Sequence, residues 1–272
     1  MNVDPSAVLV ALPEAARALA AAIKPITIVE DGSGKRRPWG SAFVLSRGEQ
    51  RIIVTAHHVV EGPQVKYMGL SSAGSIQWPR HYSVLDRVTA ELPVADVAYA
   101  IASMKPDAEP DLFTAIPLAQ VLPDSRLAPG ASLLAAGFPG SLGKLRDAQA
   151  RLRNELLYAV GSAVPADAYT ALGLDQRVHL AMTYDRMACR SVSGKQVVGP
   201  LPKGMSGGVL FLLTIETRDN EEKFLVSRVV GILEAYHQDP ANVMVATRIE
   251  CLLDGLDIVR DGVPKRYRRR DV

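Results

Sequence analysis

From Pro25 onward the sequence is a succession of short apolar runs, each stopped by glycine, proline or a charged cluster. The clearest are Ile26–Val29, Ser41–Leu45, Arg51–Thr55, Val94–Ile101, Ser132–Ala136, Leu156–Val160, Val178–Thr183, Val209–Ile215, Phe224–Leu233 and Val243–Thr247. They are rich in Val, Ile and Leu, which suit a pleated, half-buried surface. Many short strands divided by turn signals predict a sandwich or barrels. Strands in tandem, with no helical crossovers between them, argue against a parallel α/β sheet. The expected fold class is all-β. Turns fall at Asp31–Pro38, Glu61–Gln64, Lys105–Pro110 and Pro129–Gly130, and the cluster Pro117, Pro123, Pro129, Gly130 separates two strand-rich halves.

Helical spacing occurs at the two ends. Residues 7–23 place Leu9, Leu12, Ala16, Leu19 and Ile23 along one face, with Ser6 as N-cap and Pro13 as a kink. Glu14 and Arg17 interrupt the stretch and no basic region precedes it, so it makes a poor secretory signal. Ile249–Val259 repeats the pattern through Leu252, Leu253 and Leu256, and Lys265–Arg270 is a basic, solvated tail. The expected division is an N-terminal helix over 1–25, a first β-barrel over 26–120, a second over 121–256 with the C-terminal helix, and a tail over 257–272.

Composition narrows the function. Lys and Arg number 31 against 29 Asp and Glu, a net charge of +2, which offers no whole-chain case for binding nucleic acid or an anionic membrane. No apolar run approaches the roughly 18 residues of a membrane span. The two cysteines, Cys189 and Cys251, form neither a disulfide framework nor a metal spacing. Free thiols in a reducing, cytoplasmic compartment are the expectation, with no metal or cofactor. Gly32-Ser33-Gly34-Lys35 lacks the first glycine of a phosphate loop, and Arg36 stands where that loop needs Ser or Thr.

Three pieces carry chemistry: Val54-Thr55-Ala56-His57-His58-Val59, Ala95-Asp96-Val97-Ala98, and Lys203-Gly204-Met205-Ser206-Gly207-Gly208-Val209. The glycines around Ser206 let the backbone turn sharply and approach a ligand. Together with Gly40-Ser41-Ala42-Phe43-Val44, Gly137-Phe138-Pro139 and Val230-Gly231-Ile232, they follow the order His, Asp, Ser. Over roughly residues 26–256 the chain resembles the trypsin-like (chymotrypsin-fold) serine proteases. The likeness is to the bacterial branch without the usual disulfides, similar to the protease domain of HtrA/Deg proteins.

That resemblance implies two six-stranded antiparallel barrels with a site in the cleft between them. It implies Ser206 as nucleophile, His58 as general base and Asp96 as the carboxylate that orients the imidazole. The Thr-Ala-x-His-Val pattern selects His58 over His57. The N–H groups of Gly204 and Ser206 would form the oxyanion hole. The pocket floor would fall at Pro200, the substrate-pairing edge at Glu234, Ala235 and Tyr236, and a pocket wall at Tyr236 and Met244. A small or medium apolar side chain before the cut is then expected.

Met205 stands where digestive relatives carry the Asp that pairs with a new N-terminus, so activation by such trimming is not expected. The loop Ser141–Asn154 is the first regulatory candidate. Sixteen residues follow Leu256, too few for the peptide-binding PDZ module of many relatives. The implied function is a serine endopeptidase acting on a protein or peptide substrate, with an activating protein partner as a further expectation. The alternative is a catalytically silent peptide-binding protein on the same fold.

Overall fold

The computed structural model describes residues 19–29, 36–61, 66–69, 75–77, 79, 82–85, 95–103, 114–122, 127–140, 144–146, 151–153, 155–191, 195–217, 223–238 and 242–256. Strands dominate them. The first sheet holds β1 (Ile23–Val29), β2 (Arg36–Arg47), β3 (Gln50–Thr55), β4 (Lys66–Gly69), β5 (Ser75–Gln77), β6 (Ser83–Leu85), β7 (Val97–Ser103) and β8 (Ile116–Pro117). Its order is β5-β4-β1-β2-β3-β7-β6, with β8 laid parallel on β2.

The second sheet holds β9 (Ser132–Gly137), β12 (Leu157–Ser162), β13 (His179–Thr183), β14 (Cys189–Ser191), β15 (Gln196–Val197), β16 (Val209–Thr217), β17 (Lys223–His237) and β18 (Val243–Arg248). Its order is β13-β18-β17-β16-β9-β12-β14-β15, antiparallel throughout. Between β9 and β12 a separate hairpin pairs β10 (Lys144–Arg146) with β11 (Arg151–Arg153). The all-β class holds. Each sheet has eight strands rather than six, and no pairing among the described residues closes either into a barrel.

Alternation along the strands divides the apolar side chains among separate cores. One face of the first sheet buries Ile26, Ala42, Val44, Ile53 and Met68 together. One face of the second buries Leu133, Leu157, Leu180, Leu210 and Val230. The opposite faces meet: Phe43, Leu45, Ile52 and Val54 share a cluster with Leu134, Tyr158, Val209 and Phe211. Side chains on successive residues point to opposite faces, so one strand serves two cores. The C-terminal helix Ile249–Gly255 docks Ile249, Leu252 and Leu253 on the shared cluster, and the Tyr99 hydroxyl donates to the Gly255 carbonyl at 2.9 Å.

The N-terminal helix and the basic tail lie outside the described residues, except that Leu19 and Ala20 are helical. Ile23, expected to end that helix, instead opens β1, where it pairs with Phe43 of β2. Hydrogen bonding to a neighbouring strand outweighs the local helical spacing. Cys189 and Cys251 are both free and buried. No helix among the described residues is long and apolar enough to cross a membrane.

Candidate active site

Strand β3 delivers two histidines to the end of the first sheet. They lie one step beyond the strand, in the single helical turn His57–Val60, anchored by the buried Val59 and Val60. The β3–β7 register, with Thr55 opposite Ala98, brings Asp96 alongside that turn. Asp96 Oδ2 lies 2.5 Å from His58 Nδ1, and Asp96 Oδ1 accepts the His58 backbone N–H at 3.0 Å. The Asp96 carbonyl accepts the His57 N–H at 3.3 Å. One carboxylate thus grips His58 twice, while the hydrogen bond from His57 to Asp96 is main chain to main chain.

These contacts set the charge states. The hydrogen bond that His58 Nδ1–H donates to Asp96 raises the His58 pKa above the ordinary 6.5, opposed by desolvation and aided by the charges of Asp96, Glu234 and Glu61. Burial works to raise the Asp96 pKa. The hydrogen bond and charge of His58 outweigh it, so the carboxyl sits below its usual range. With Nδ1 engaged, Nε2 is the ring nitrogen of His58 that Asp96 leaves uncommitted.

Ser206 sits in the turn entering β16. Met205 N–H donates to the Pro202 carbonyl at 3.0 Å, Gly208 N–H to Met205 at 2.9 Å, and Gly207 N–H to Leu233 at 2.7 Å. Gly140 N–H donates to the Lys203 carbonyl at 2.7 Å. Gly204 has φ of 91°, and a Cβ there would lie 2.6 Å from Gly140 N, so both conformation and space demand glycine. Among the described residues, neither the Gly204 N–H nor the Ser206 N–H donates to a protein acceptor. The Ser206 hydroxyl donates to the Glu234 carbonyl at 3.0 Å.

The two sheets meet at this turn. Ser41 N–H of β2 donates to the Ser206 carbonyl at 2.7 Å. A Cβ on Gly207 would lie 2.1 Å from both the Ser41 carbonyl and Thr55 Oγ1. A Cβ on Gly40 would meet Val59, next to His58, at 2.5 Å and the Ser206 carbonyl at 3.3 Å. Those glycines are what let the histidine turn and the serine turn approach.

Beside Ser206 lies a pocket of about 170 Å³ lined by Pro202, Lys203, Met205, Ser206, Leu233, Glu234, Ala235, Tyr236 and Met244. Pro200 is not among the lining residues. Its carbonyl accepts from the Tyr184 hydroxyl at 2.6 Å, and the chain turns after it so that Pro202 meets the pocket. Tyr236 is braced edge-on by Tyr184, with centroids 5.6 Å apart, and its hydroxyl donates to Asn242 Oδ1 at 2.7 Å. Met205 is buried in the core of the second sheet beside Leu233 and Met244.

Glu234 occupies a bulge, where the β17–β18 register slips between Leu233 and Ala235. A bulge re-aims the extra residue. Its Oε2 accepts from Thr247 Oγ1 at 2.8 Å and lies 3.9 Å from His179 Nε2. Burial raises the Glu234 pKa, opposed by the Thr247 hydrogen bond and by His179. Sequence reasoning missed Thr247 and His179, because neither belongs to a local motif. Pairing of β16 with β17 stops at Val209–Ile232, so residues 234–236 keep β18 on one side and no strand on the other among the described residues.

No family model matches the chain, and no curated protein matches it. Among solved structures it is similar to a thermostable serine protease, AL20, from an extremophilic microorganism, at 15% identity over 85% of this chain and 92% of that one, with a TM-score of 0.48. It is also similar to the serine endoprotease from Yersinia pestis, at 16% identity over 90% of this chain, with a TM-score of 0.50. The chain spans 64% of that Yersinia chain. At this identity the likeness to the Yersinia chain bears on the fold alone, an all-β arrangement of chymotrypsin type.

Proposed function

We propose that this chain is a serine endopeptidase. The observation that carries the reading is the turn at Ser206, where the amide N–H groups of Gly204 and Ser206 have no protein acceptor among the described residues and the serine hydroxyl is held only by the Glu234 carbonyl. Buried or half-buried donors are normally paired. Two left open beside a serine suit a developing negative charge. The His58–Asp96 pair supplies the base that a serine hydroxyl needs at neutral pH.

The residues divide the reaction between them. Ser206 Oγ attacks the scissile carbonyl while its proton passes to His58 Nε2. Asp96 holds the imidazole and stabilises the imidazolium. The former carbonyl oxygen carries its charge against the Gly204 and Ser206 N–H groups. His58 then returns the proton to the departing amine as the C–N bond breaks, leaving acyl-Ser206. Water, deprotonated by His58, attacks the acyl carbon; the ester bond breaks and the proton goes back to Ser206.

An extended substrate would lie along the open edge at Glu234, Ala235 and Tyr236 as an added strand. The apolar walls of Met205, Leu233 and Met244 favour a small or medium apolar side chain before the cut. A fluorophosphonate probe tests the reading. Wild-type protein should label at Ser206 and Ser206→Ala should not. Absence of labelling, together with tight binding of extended peptides, would favour the silent peptide-binding protein instead. Labelling that requires a second protein would point to an activating partner.

A further inference from the structure

We infer that Ser41, on the first sheet, is the positioning residue that orients the oxyanion turn of the second, clamping Gly204 and Phe138 through one hydroxyl. The inference rests on the protease reading above. Ser41 is fully buried in β2, and its main chain is held on both sides. Its N–H donates to the Ser206 carbonyl at 2.7 Å, and its carbonyl accepts from Thr55 Oγ1 at 2.7 Å. The side chain therefore starts from a fixed point. Its hydroxyl donates to the Gly204 carbonyl at 3.0 Å and accepts the Phe138 N–H at 2.9 Å.

The effect on Gly204 follows from peptide geometry. A peptide unit is planar, so holding its carbonyl also fixes the direction of its N–H. The unit before Gly204 is held by Gly140 N–H on the Lys203 carbonyl. The unit after it is held by Ser41 Oγ on the Gly204 carbonyl. With both flanking planes held, Gly204 stays at φ 91° and its N–H, opposite the Lys203 carbonyl in a trans peptide, stays turned away from Gly140, although glycine has no side chain to hold it there.

Phe138 and Gly140 belong to one short segment leaving β9 toward the β10–β11 hairpin. That segment grips Gly204 on one side directly and on the other through Ser41. A hydroxyl suits the place because it donates and accepts at once. Alanine would leave the Phe138 N–H and the Gly204 carbonyl unpaired.

The test compares wild type, Ser41→Ala, Ser41→Cys and the core control Val44→Ala, the last matched for loss of Tm. We expect Ser41→Ala to lower kcat by about 30-fold with KM unchanged, somewhat less than the roughly 100-fold or more for outright loss of an oxyanion donor, because the donor is loosened and not removed. Ser41→Cys, with a weak donor and acceptor of similar size, should fall between. Val44→Ala should keep kcat. Amide hydrogen exchange should rise about tenfold or more at Phe138, Met205 and Gly208 in Ser41→Ala and not in Val44→Ala.

Wild-type kcat in Ser41→Ala, or unchanged exchange at Met205 and Gly208, would overturn the role of Ser41. A wild-type protein that neither labels with fluorophosphonate nor cuts peptides would remove the protease reading instead. The exchange measurement still decides the clamp in that case. Should Ser41→Ala fail to fold, Ser41→Cys carries both readouts.

Discussion

The Ser206 hydroxyl donates to the Glu234 carbonyl at 3.0 Å, so the proposed nucleophile is bonded to the very strand edge that a substrate would pair with. An incoming main-chain N–H would compete for that carbonyl and release the hydroxyl toward His58. We expect a peptide substrate N-methylated at the residue before the cut to lose about tenfold or more in kcat/KM, one ordinary hydrogen bond's equivalent. Steady-state kinetics on matched peptides check this. Equal kcat/KM for the two would contradict it.

The His58–Asp96 pair predicts a pH profile. Because Asp96 raises the His58 pKa, the imidazole becomes neutral, and able to act as base, only at a pH above 6.5. Labelling of Ser206 should therefore rise along a limb centred above that value. Asp96→Asn removes the largest raising contribution, so the limb moves to lower pH and the rate falls by about 10⁴-fold. His57→Ala should keep appreciable activity, since the hydrogen bond from His57 to Asp96 is made by main chain and survives the substitution.

The same pair links folding to pH. A His pKa raised in the folded state contributes stability that is fully present below the unfolded value of about 6.5 and fades as pH rises through the folded value. Loss of the His58 ring in His58→Ala should flatten this dependence between neutral and mildly alkaline pH, measured as Tm against pH.

Gly204→Ala should cut turnover by about 100-fold. The added Cβ would lie 2.6 Å from Gly140 N and 3.1 Å from the Phe138 carbonyl, and φ of 91° disfavours it further. Turning the Gly204 N–H away removes one of two donors. The measurement is kcat alongside binding of a peptide aldehyde, whose adduct carries an oxyanion. Both should fall together, while product-peptide binding stays constant.

Met244 is buried and forms part of the pocket wall. Met244→Ala should shift preference toward larger apolar or aromatic side chains before the cut in a peptide library. It should also destabilise the fold by about 2–5 kcal/mol, the range for truncating a buried side chain. An unchanged library profile would separate this pocket from substrate selection.

Much of this was legible in the chain because it is local. Runs such as Val209–Ile215 and Val243–Thr247 form strands, since β-branched and apolar residues suit a sheet wherever it packs. Short polar strands such as β14 and β15 carried no such pattern, because partner strands rather than their own residues create them. Pro200 lies outside the lining of the pocket beside Ser206, because the chain turns at Pro202 and that residue meets the pocket instead.

The sequence by itself determined the strand-rich class, the glycine-flanked Ser206 and the choice of residues that could act as base and carboxylate. Tertiary structure alone decided that Asp96 grips His58 across 38 positions and that Ser41 reaches Gly204 across 163. It also decided that a bulge aims Glu234 toward Thr247 and His179. Hydrogen bonds act over about 3 Å. Residues far apart in the chain acquire them only when strand register and the packing of the two sheets bring the backbones together.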